Sequence, residues 1–341
     1  MRIHARIYCA FAVVFFSGGA IAQSPMQTSQ KKFGIVVHGG AGTIDRSKMT
    51  PEREKEYRRG LEAALKAGYQ ILKNGGSSLD ATEAAVRILE DDPLFNAGKG
   101  AVFTSAGVNE LDAAVMEGRT LRAGAVTGLK RIKNPVTLAR AVMEKSKHVM
   151  MVGEGAEAFA KECGIDFVDP KYFYTEERWQ SLQRIQAAEK AGASGGKKFI
   201  ISDVDRHGTV GAVALDQDGN LAAATSTGGM TNKKPGRVGD SPVIGAGNYA
   251  NNATCAVSGT GDGEYFIRAV VGHDVSALME YRGLALAEAA QTVLDKTKQL
   301  GGEGGLIAID KNGNMALPFN TTGMYRGYCD ATGKIVVEIY R

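Results

Sequence analysis

The sequence predicts an α+β fold in which sheets are covered by helices. Both halves of the 341-residue chain mix short apolar runs with longer segments of helical periodicity. In the second half, turn signals such as Asp218-Gly219 lie between apolar runs and favour antiparallel hairpins. The chain has 44 glycines and only 8 prolines, which indicates tight turns and close backbone approaches rather than a disordered linker protein.

The first half is predicted to begin with a strand at 34–37. Thr50-Pro51 marks a helix start, with an N-cap threonine and a proline at the first helical position, and Asn74-Gly75-Gly76 ends that helix after Lys73. Residues 77–80 resemble a capping box before a second helix with one apolar face. The other predicted elements are strands at 113–116, 123–128 and 148–152, and helices at 135–145, 154–163 and 176–190.

The second half is predicted to be richer in strands. Small and polar residues make a flexible linker at 191–206, just before this half begins. The predicted strands are 210–216 and 221–225, which form a hairpin, and 243–246, 255–258, 306–310, 315–318 and 335–340. Helices are predicted at 262–278 and 284–297.

Residues 1–22 have the three parts of a secretory signal peptide: a basic start, an apolar stretch and the cleavage signal Ala20-Ile21-Ala22. A membrane anchor is the alternative, but the apolar run is short for a span. Removal of Arg2 and Arg6 lowers the formal charge from +4 to +2 (4 − 2). We therefore expect a periplasmic or secreted protein that binds no nucleic acid and, once the signal is removed, no membrane.

Cysteine usage gives no sign of a metal or redox motif. Cys9 lies in the signal segment, which leaves Cys163, Cys255 and Cys329. Three cysteines cannot all pair, and no C-x-x-C occurs. Buried free thiols are the favoured interpretation.

The segment HGTVGAVALDQDGNLAAATSTGGMT, residues 207–231, carries the strongest functional signal. Thr209 stands at the mouth of an apolar run, where a threonine by itself is usually only a good strand residue. Further candidate groups follow it in a Gly-rich half-chain: Thr227, Arg237, Asp240 and Thr260. Hydroxyls, one cation and one carboxylate are the parts of an amidase whose nucleophile is a threonine at its own amino terminus.

These residues and their surroundings resemble the plant-type asparaginase and isoaspartyl dipeptidase family of N-terminal nucleophile hydrolases. The resemblance covers nearly the whole mature chain through the motifs HGGAG, PLFNAGKGAVFT, NELDAAVM, GAVTGL, HGTVGAVALD, ATSTGGM, GRVGDSPVIGAGNYA and SGTGDGE. It implies a four-layer αββα sandwich and a precursor that cuts itself between Gly208 and Thr209. It also implies an alpha subunit, 23–208, and a beta subunit, 209–341, which together form one domain and pair into a dimer of heterodimers.

The resemblance implies a catalytic role for four residues and no catalytic cofactor. Thr209 is the nucleophile, and its α-amine, with a reference pKa of about 7.7–8.0, is the general base. Thr227 orients the nucleophile. Thr260 and Gly261 form the oxyanion hole through a hydroxyl and a backbone N–H. His207 is the alternative base, but the threonine amine already supplies that function.

The resemblance also assigns the substrate contacts. Arg237 grips a carboxylate through its fork of donors, and Asp240 takes the ammonium of the same amino acid. Gly261, Gly263 and Asn96 contribute further, with Asn96 positioning groups around Thr209. This arrangement leaves the side-chain carbonyl of an aspartyl unit for attack, so the expected substrates are L-asparagine and β-linked aspartyl dipeptides. A surface salt bridge between Arg237 and Asp240 is the alternative.

Other interpretations stay open. A glycosylasparaginase would share the mechanism but accept a sugar on the amide nitrogen, and a silent binding protein would keep only the scaffold. Glu110 and Asp112 could suggest paired acid catalysis, although a structural role is favoured. The resemblance further implies a structural sodium ion held by the backbone carbonyls of Leu89, Glu90, Asp92, Phe95, Ala97 and Lys99.

Overall fold

The computed structural model describes residues 32–195 and 208–341. The predicted signal peptide, His207 and most of the predicted linker therefore lie outside the described residues. Within the described ranges, no helix is long and apolar enough to cross a membrane. Cys163, Cys255 and Cys329 are unpaired, and the last two are buried.

The first half agrees with the predicted order of elements. Thr50 Oγ1 accepts a hydrogen bond from Arg53 N at 3.2 Å, and Ser77 Oγ accepts one from Asp80 N at 3.1 Å, so both predicted caps are formed. The elements are β1 (Gly34–Gly42), α1 (Pro51–Lys73), α2 (Ser78–Asp91), β2 (Leu111–Glu117), β3 (Ala123–Leu129), α3 (Pro135–Lys145), β4 (Met150–Val152), α4 (Gly153–Glu162) and α5 (Glu176–Gly195). Helix α5 therefore continues five residues beyond its predicted end at Lys190.

The second half supplies the remaining elements. They are β5 (Val210–Leu215), β6 (Leu221–Thr227), β7 (Asn248–Ala250), β8 (Cys255–Gly261), α6 (Gly263–Ala269), α7 (Val271–Arg282), α8 (Leu286–Gln299), β9 (Gly304–Asp310), β10 (Met315–Ala316), β11 (Gly323–Cys329) and β12 (Ile335–Tyr340). Strand β11 was not among the predicted strands.

Two predictions in this half are wrong. Residues 243–246 form turns instead of a strand, because Val243 N bonds to Asp240 O and Ala246 N bonds back to Val243 O. The single helix predicted at 262–278 is broken into α6 and α7. The break lies at Val270, whose φ of 51° is left-handed and interrupts the helical ladder.

Two sheets form the centre of the fold. The larger has eight strands in the order β12-β11-β1-β5-β6-β2-β3-β4, and the smaller has four in the order β10-β9-β8-β7. All pairs within them are antiparallel except β3 with β4. The predicted antiparallel character is therefore confirmed.

Three apolar clusters show how the layers stack. On β1, Ile35 and Val37 pack with helices α1 to α4, whereas Val36 points into a second cluster between the two sheets. On β9, Ile307 lies in that second cluster and Leu306 in a third, which joins the small sheet to α7 and α8. Because strand side chains alternate between faces, each sheet is buried on both sides. The result is the predicted four-layer αββα sandwich.

Candidate active site

Thr209 and Thr227 are brought together by the β5–β6 hairpin. The register pairs Val210 with Ser226, so the residues at the next position, Thr209 and Thr227, lie opposite each other. Thr209 Oγ1 donates a hydrogen bond to Thr227 Oγ1 at 3.1 Å, and both side chains are buried. The predicted nucleophile and the residue predicted to orient it are in direct contact.

The carbonyl oxygen of Gly208, at the predicted cleavage point, accepts two hydrogen bonds. Asn96 Nδ2 donates to it at 2.7 Å and Thr227 Oγ1 at 3.1 Å. Asn96 is almost fully buried, and its Oδ1 accepts from Val102 N at 3.0 Å, which sets the direction of the amide. Two donors on one carbonyl oxygen form the arrangement that stabilises a developing oxyanion. We call Asn96, Gly208 and Thr227 the cleavage junction.

The Thr227 hydroxyl links the nucleophile to this carbonyl. A hydroxyl has one proton to donate and two lone pairs to accept with. Thr227 Oγ1 accepts from Thr209 Oγ1 and from Gly229 N, at 2.9 Å for the latter, and donates to Gly208 O. Each hydrogen-bonding capacity is used, so the geometry defines one path for a proton from Thr209 Oγ1 to the carbonyl oxygen.

The lack of space for a side chain explains the glycine at position 208. A Cβ there would lie 2.8 Å from Asn96 Cβ, a distance that real contacts do not tolerate. Gly40, with φ of 114°, also lies close to Gly208, because a Cβ on Gly40 would lie 3.0 Å from Gly208 Cα. A residue larger than glycine at either position would push the cleavage junction apart.

Arg237 and Asp240 line one small pocket next to Thr209, together with Gly208, Gly261 and Gly263. The pocket has a volume of about 40 Å³, which is room for only a few water molecules. Gly208 forms part of its wall, so the uncut chain restricts the pocket that the predicted substrate has to enter.

The salt bridge between Arg237 and Asp240, which was the alternative to substrate binding, is not among the ion pairs of the described residues. Arg237 Nε and Nη2 each lie 2.9 Å from an oxygen of Glu264, in a bidentate pair. Asp240 is buried, and its Oδ2 has no hydrogen-bond partner among the described residues. Burial raises the pKa of Asp240 to about 6, against the opposing effect of the Arg237 charge. A substrate ammonium would supply the missing partner.

Gly263 keeps open the space between these two charged groups. A Cβ on Gly263 would lie 3.0 Å from both Arg237 Nη2 and Asp240 Oδ1. A side chain at this position would narrow the space between the two groups. We call Arg237, Asp240 and Gly263 the substrate clamp.

Thr260 and Gly261 occupy the end of β8. Thr260 is fully buried, and its Oγ1 accepts a hydrogen bond from Ala41 N at 3.2 Å, which leaves its own proton available to donate. Gly261 lines the small pocket, whereas Thr260 does not. A Cβ on Gly261 would lie 2.3 Å from Glu303 O, so this strand end accepts only glycine.

A buried polar network behind the nucleophile was missed by the sequence analysis. His38 Nε2 lies 2.9 Å from Ser258 Oγ, and Ser258 Oγ lies 2.7 Å from Thr225 Oγ1. Burial lowers the pKa of His38 to about 3, and the backbone of Thr209 acts in the opposite direction. His38 is therefore a neutral group that joins β1 to β8. Its only signal was the HGGAG motif, which had no assigned role.

Asp112 belongs to a buried ion pair, in line with the favoured structural interpretation. Lys233 Nζ lies 3.8 Å from Asp112 Oδ2 and donates to the Glu110 carbonyl oxygen at 3.0 Å. Asp112 also accepts from Thr127 Oγ1 at 2.5 Å. Asp112 pairs with Thr227 across β2 and β6, so this group supports the strand that carries Thr227. Lys233 was not predicted.

Comparisons with known proteins agree with this geometry. The asparaginase family profile matches residues 31–339. The isoaspartyl peptidase of Escherichia coli (strain K12) is 56% identical over 310 residues, covering 90% of this chain and 96% of the relative. The isoaspartyl peptidase/L-asparaginase of Mus musculus is 45% identical over 292 residues, with coverage of 85% and 86%. The probable isoaspartyl peptidase/L-asparaginase 2 of Arabidopsis thaliana is 41% identical over 323 residues, with coverage of 90% and 98%. The chain therefore belongs to the asparaginase family, with the α+β fold of the N-terminal nucleophile hydrolases.

Proposed function

We propose that this protein is an isoaspartyl peptidase with L-asparaginase activity, and that it matures by cutting itself between Gly208 and Thr209. The observation that carries the proposal is the cleavage junction, in which Thr209 Oγ1 bonds to Thr227 while Asn96 and Thr227 hold the Gly208 carbonyl. The names of the relatives support the substrate class. Membership of the family implies no catalytic cofactor.

Self-cutting begins with attack of Thr209 Oγ1 on the Gly208 carbonyl carbon. Negative charge that develops on the Gly208 oxygen is stabilised by Asn96 Nδ2 and Thr227 Oγ1, and the hydroxyl proton of Thr209 passes through Thr227 to this oxygen. The C–N bond then breaks as the carbonyl re-forms, the same proton moves to Thr209 N, and an ester joins Gly208 to Thr209 Oγ1. Water hydrolyses this ester. The products are a Gly208 carboxylate and a Thr209 with a free α-amine.

Turnover of substrate reuses the same hydroxyl. The new α-amine of Thr209, with a reference pKa of about 7.7–8.0, removes the hydroxyl proton. Thr209 Oγ1 attacks the side-chain carbonyl of the aspartyl unit, while the Thr260 hydroxyl and the Gly261 N–H stabilise the oxyanion. Ammonia or an amino acid leaves with the proton. Water then releases aspartate from the acyl-threonine ester.

The substrate clamp selects the aspartyl unit. Arg237 binds the α-carboxylate, which takes the place of the Glu264 oxygens or shares the guanidinium with them. Asp240 binds the α-ammonium through the oxygen that has no protein partner. Only the side-chain carbonyl then remains to meet Thr209. The names of the relatives favour this activity over the glycosylasparaginase alternative.

We also propose that the loop after α2 holds a structural sodium ion through backbone carbonyls of Leu89, Glu90, Asp92, Phe95, Ala97 and Lys99. Two of these carbonyl oxygens pack closely against glycines of the loop, because a Cβ on Gly98 would lie 2.3 Å from Glu90 O and one on Gly100 would lie 2.1 Å from Phe95 O. The Lys99 ammonium lies 5.7 Å from the Tyr172 ring centroid, where the aromatic face accepts its charge. No cluster of acidic, histidine or cysteine side chains suited to a metal occurs in the described ranges. The ion would fix the loop that carries Asn96.

Export and assembly complete the proposal. We infer that residues 1–22 direct the chain to the periplasm or out of the cell, because they have the pattern of a signal peptide. We further infer that subunits 23–208 and 209–341 stay together after cutting and pair into a dimer of heterodimers. Strands β1 and β11 of the two subunits lie on either side of the cut in sequence and pair directly, which supports retention of both fragments.

The experiment is amino-terminal sequencing combined with substrate assays. Purified protein should separate into two fragments on a denaturing gel, and the second should begin Thr-Val-Gly-Ala. The cut protein should release aspartate from β-Asp-Leu and from asparagine. Release from glycosylated asparagine alone would assign the glycosylasparaginase activity. A single intact band without turnover would leave only a binding protein.

A further inference from the structure

A buried lysine lies against the turn that follows β6. Lys233 is only 3% exposed. Its Nζ lies 3.8 Å from Asp112 Oδ2 and donates to the Glu110 carbonyl oxygen at 3.0 Å. A lysine is almost never fully buried unless it is paired. The bond-forming steps proposed above do not use this ammonium, so the reason for burying it lies in what its side chain contacts.

The carboxylate of Asp112 holds the ammonium at one place. Asp112 Oδ1 accepts hydrogen bonds from Thr127 Oγ1 at 2.5 Å and from Gly128 N at 2.9 Å, which fix the carboxylate on the large sheet. Asp112 Oδ2 has no hydrogen-bond partner within the described ranges, and it faces the Lys233 ammonium. Because loss of either partner would leave a buried charge uncompensated, the two side chains depend on each other for their positions.

The side chain of Lys233 packs directly against Gly229. A Cβ built on Gly229 would lie 2.9 Å from both Cδ and Nζ of Lys233. Gly229 has a left-handed φ of 81°, and the lysine occupies the space that a side chain there would take. The position of the Lys233 side chain therefore limits where the backbone of Gly229 can lie.

Gly229 bonds to both of the side chains that donate in the cleavage junction. Gly229 N donates to Thr227 Oγ1 at 2.9 Å, and Gly229 O accepts from Asn96 Nδ2 at 2.6 Å. The first bond occupies a lone pair of Thr227, so its proton is directed to Gly208 O. The second occupies one of the two amide protons of Asn96, so the other is directed to the same oxygen. The place of Gly229 thus sets the aim of both donors.

We propose that Lys233 is a positioning residue for self-cutting. It acts through Gly229 on the two oxyanion donors of the cleavage junction, and Asp112 anchors its ammonium. This inference rests on the proposed function. The polar contacts of Lys233 in the described part of the chain go to Asp112 and to the Glu110 carbonyl, so its contribution is to geometry and not to proton transfer.

The test removes the charge of Lys233 without leaving Asp112 unpaired. Lys233→Met keeps an unbranched side chain, and Asp112→Asn keeps an acceptor oxygen. We call the combination of both substitutions the pair variant. It avoids the buried, uncompensated carboxylate that Lys233→Met alone would create. Lys296→Met is the matched control, because Lys296 also pairs with an aspartate, Asp274 at 2.8 Å, but on the half-exposed surface of α8.

Two quantities are measured on the full-length chain. The rate of cutting comes from time courses on denaturing gels, and the midpoint of denaturant unfolding is measured in a Thr209→Ala background, in which every chain stays uncut. The pair variant should cut about tenfold more slowly than the wild type, because rate falls steeply when reacting groups are misplaced. Its unfolding midpoint should match that of the parent. Lys296→Met should cut at the wild-type rate.

The same two substitutions in an Asn96→Ala background separate positioning from a general effect. If Lys233 acts through the donors, removal of one donor also removes part of what Lys233 contributes. The pair substitutions should then slow cutting by less than about threefold, because effects that share a partner are not additive.

Three results would overturn the proposal: cutting of the pair variant at the wild-type rate, a full tenfold loss that persists in the Asn96→Ala background, or a lowered unfolding midpoint that accounts for the slower cutting. Failure of the proposed function gives a different result, because the wild-type chain itself would then stay uncut.

Discussion

The cleavage junction and the substrate clamp both adjoin Thr209. They differ in how many of their hydrogen-bonding groups have a partner. In the junction, Asn96 and Thr227 use their donors and acceptors on protein partners. In the clamp, Asp240 Oδ2 is buried with no partner in the described part of the chain, and Arg237 is bound to Glu264, whose side chain is 58% exposed. In the uncut chain, the groups proposed for self-cutting already have their hydrogen-bond partners, whereas the groups proposed for substrate binding do not.

The buried, unpaired carboxyl of Asp240 in the substrate clamp lowers the stability of the fold. A carboxyl whose pKa rises from 3.8 to about 6 on folding loses about 3 kcal/mol of folding free energy at neutral pH, at roughly 1.4 kcal/mol per pH unit. Such a cost is typical of binding sites whose ligand supplies the missing contact. In the cleavage junction, no buried side-chain atom of Asn96 or Thr227 lacks a hydrogen-bond partner. These bonds form within the uncut chain and therefore do not wait for a ligand.

The largest expected effect is that of Thr209→Ala. Without the hydroxyl there is no attack on Gly208, so the variant should stay a single chain and have no activity on asparagine. Thr209→Ser keeps a hydroxyl and should still cut. A denaturing gel after long incubation measures both. Cutting of the alanine variant after Gly208 would refute self-cleavage by Thr209.

The second largest effect is expected from removing a hydrogen-bond donor of the cleavage junction. Asn96→Ala should slow cutting by about 10²–10³-fold, the usual cost of losing one oxyanion donor. Asn96→Asp is the matched variant, because it keeps an acceptor for Val102 N but has no N–H for Gly208 O. Both variants should therefore cut slowly, and time courses on a gel provide the rates. Rapid cutting by Asn96→Asp would show that the Asn96 amide only supports the loop.

A clamp variant should have the opposite phenotype. Arg237→Ala should cut at the wild-type rate, because Arg237 makes no contact with Gly208 O. Its kcat/KM for asparagine should fall about a hundredfold, as expected for loss of one partner of a charged pair. Arg237→Lys keeps the charge without the fork and should recover only part of the loss. Unchanged kinetics would reject the carboxylate role.

The contact between Thr209 and Thr227 could be predicted from the sequence. The predicted hairpin around Asp218-Gly219 is present, and its antiparallel register determines which residues face each other. Hairpin register depends on a short turn, which is a local property. The same local rules correctly predicted the ends of α1 and the whole of α3.

Contacts between distant segments could not be predicted in this way. The Arg237–Glu264 pair, the Lys233–Asp112 pair and the His38–Ser258 contact join residues far apart in sequence. No local periodicity or turn signal specifies such partners. The break at Val270 has the same origin, because Gly272 N and His273 N bond to carbonyls of the 245–246 turn. Tertiary contacts there override a continuous helical pattern.

The pH dependence of the two reactions gives a finer test of the comparison. In the proposed mechanism, substrate binding requires the Asp240 carboxylate, whose pKa burial raises to about 6, and turnover requires the neutral Thr209 amine, with a reference pKa of about 7.7–8.0. As pH falls, log kcat/KM for asparagine should decline with a slope of about 1 below pH 8 and about 2 below pH 6. Self-cutting uses neither group and should lack the change near pH 6. Rate measurements from pH 5 to 9 on both reactions provide the comparison.

Asp240→Asn is the control for this assignment, because it removes the titrating group without changing its size. The variant should still cut, should lose asparagine turnover, and should be more stable than the wild type by about 2 kcal/mol at pH 7. The sign follows from the raised pKa: the cost to the folded wild type is fully present above pH 6 and declines as the pH falls from 6 towards 3.8. Near pH 4 little of the advantage of asparagine should therefore remain. Denaturant unfolding at the two pH values measures this difference. An equal gain in stability at both pH values would mean that the charge of Asp240 does not destabilise the substrate clamp. The unpaired Oδ2 of Asp240 would then have a cause other than the absence of a substrate ammonium.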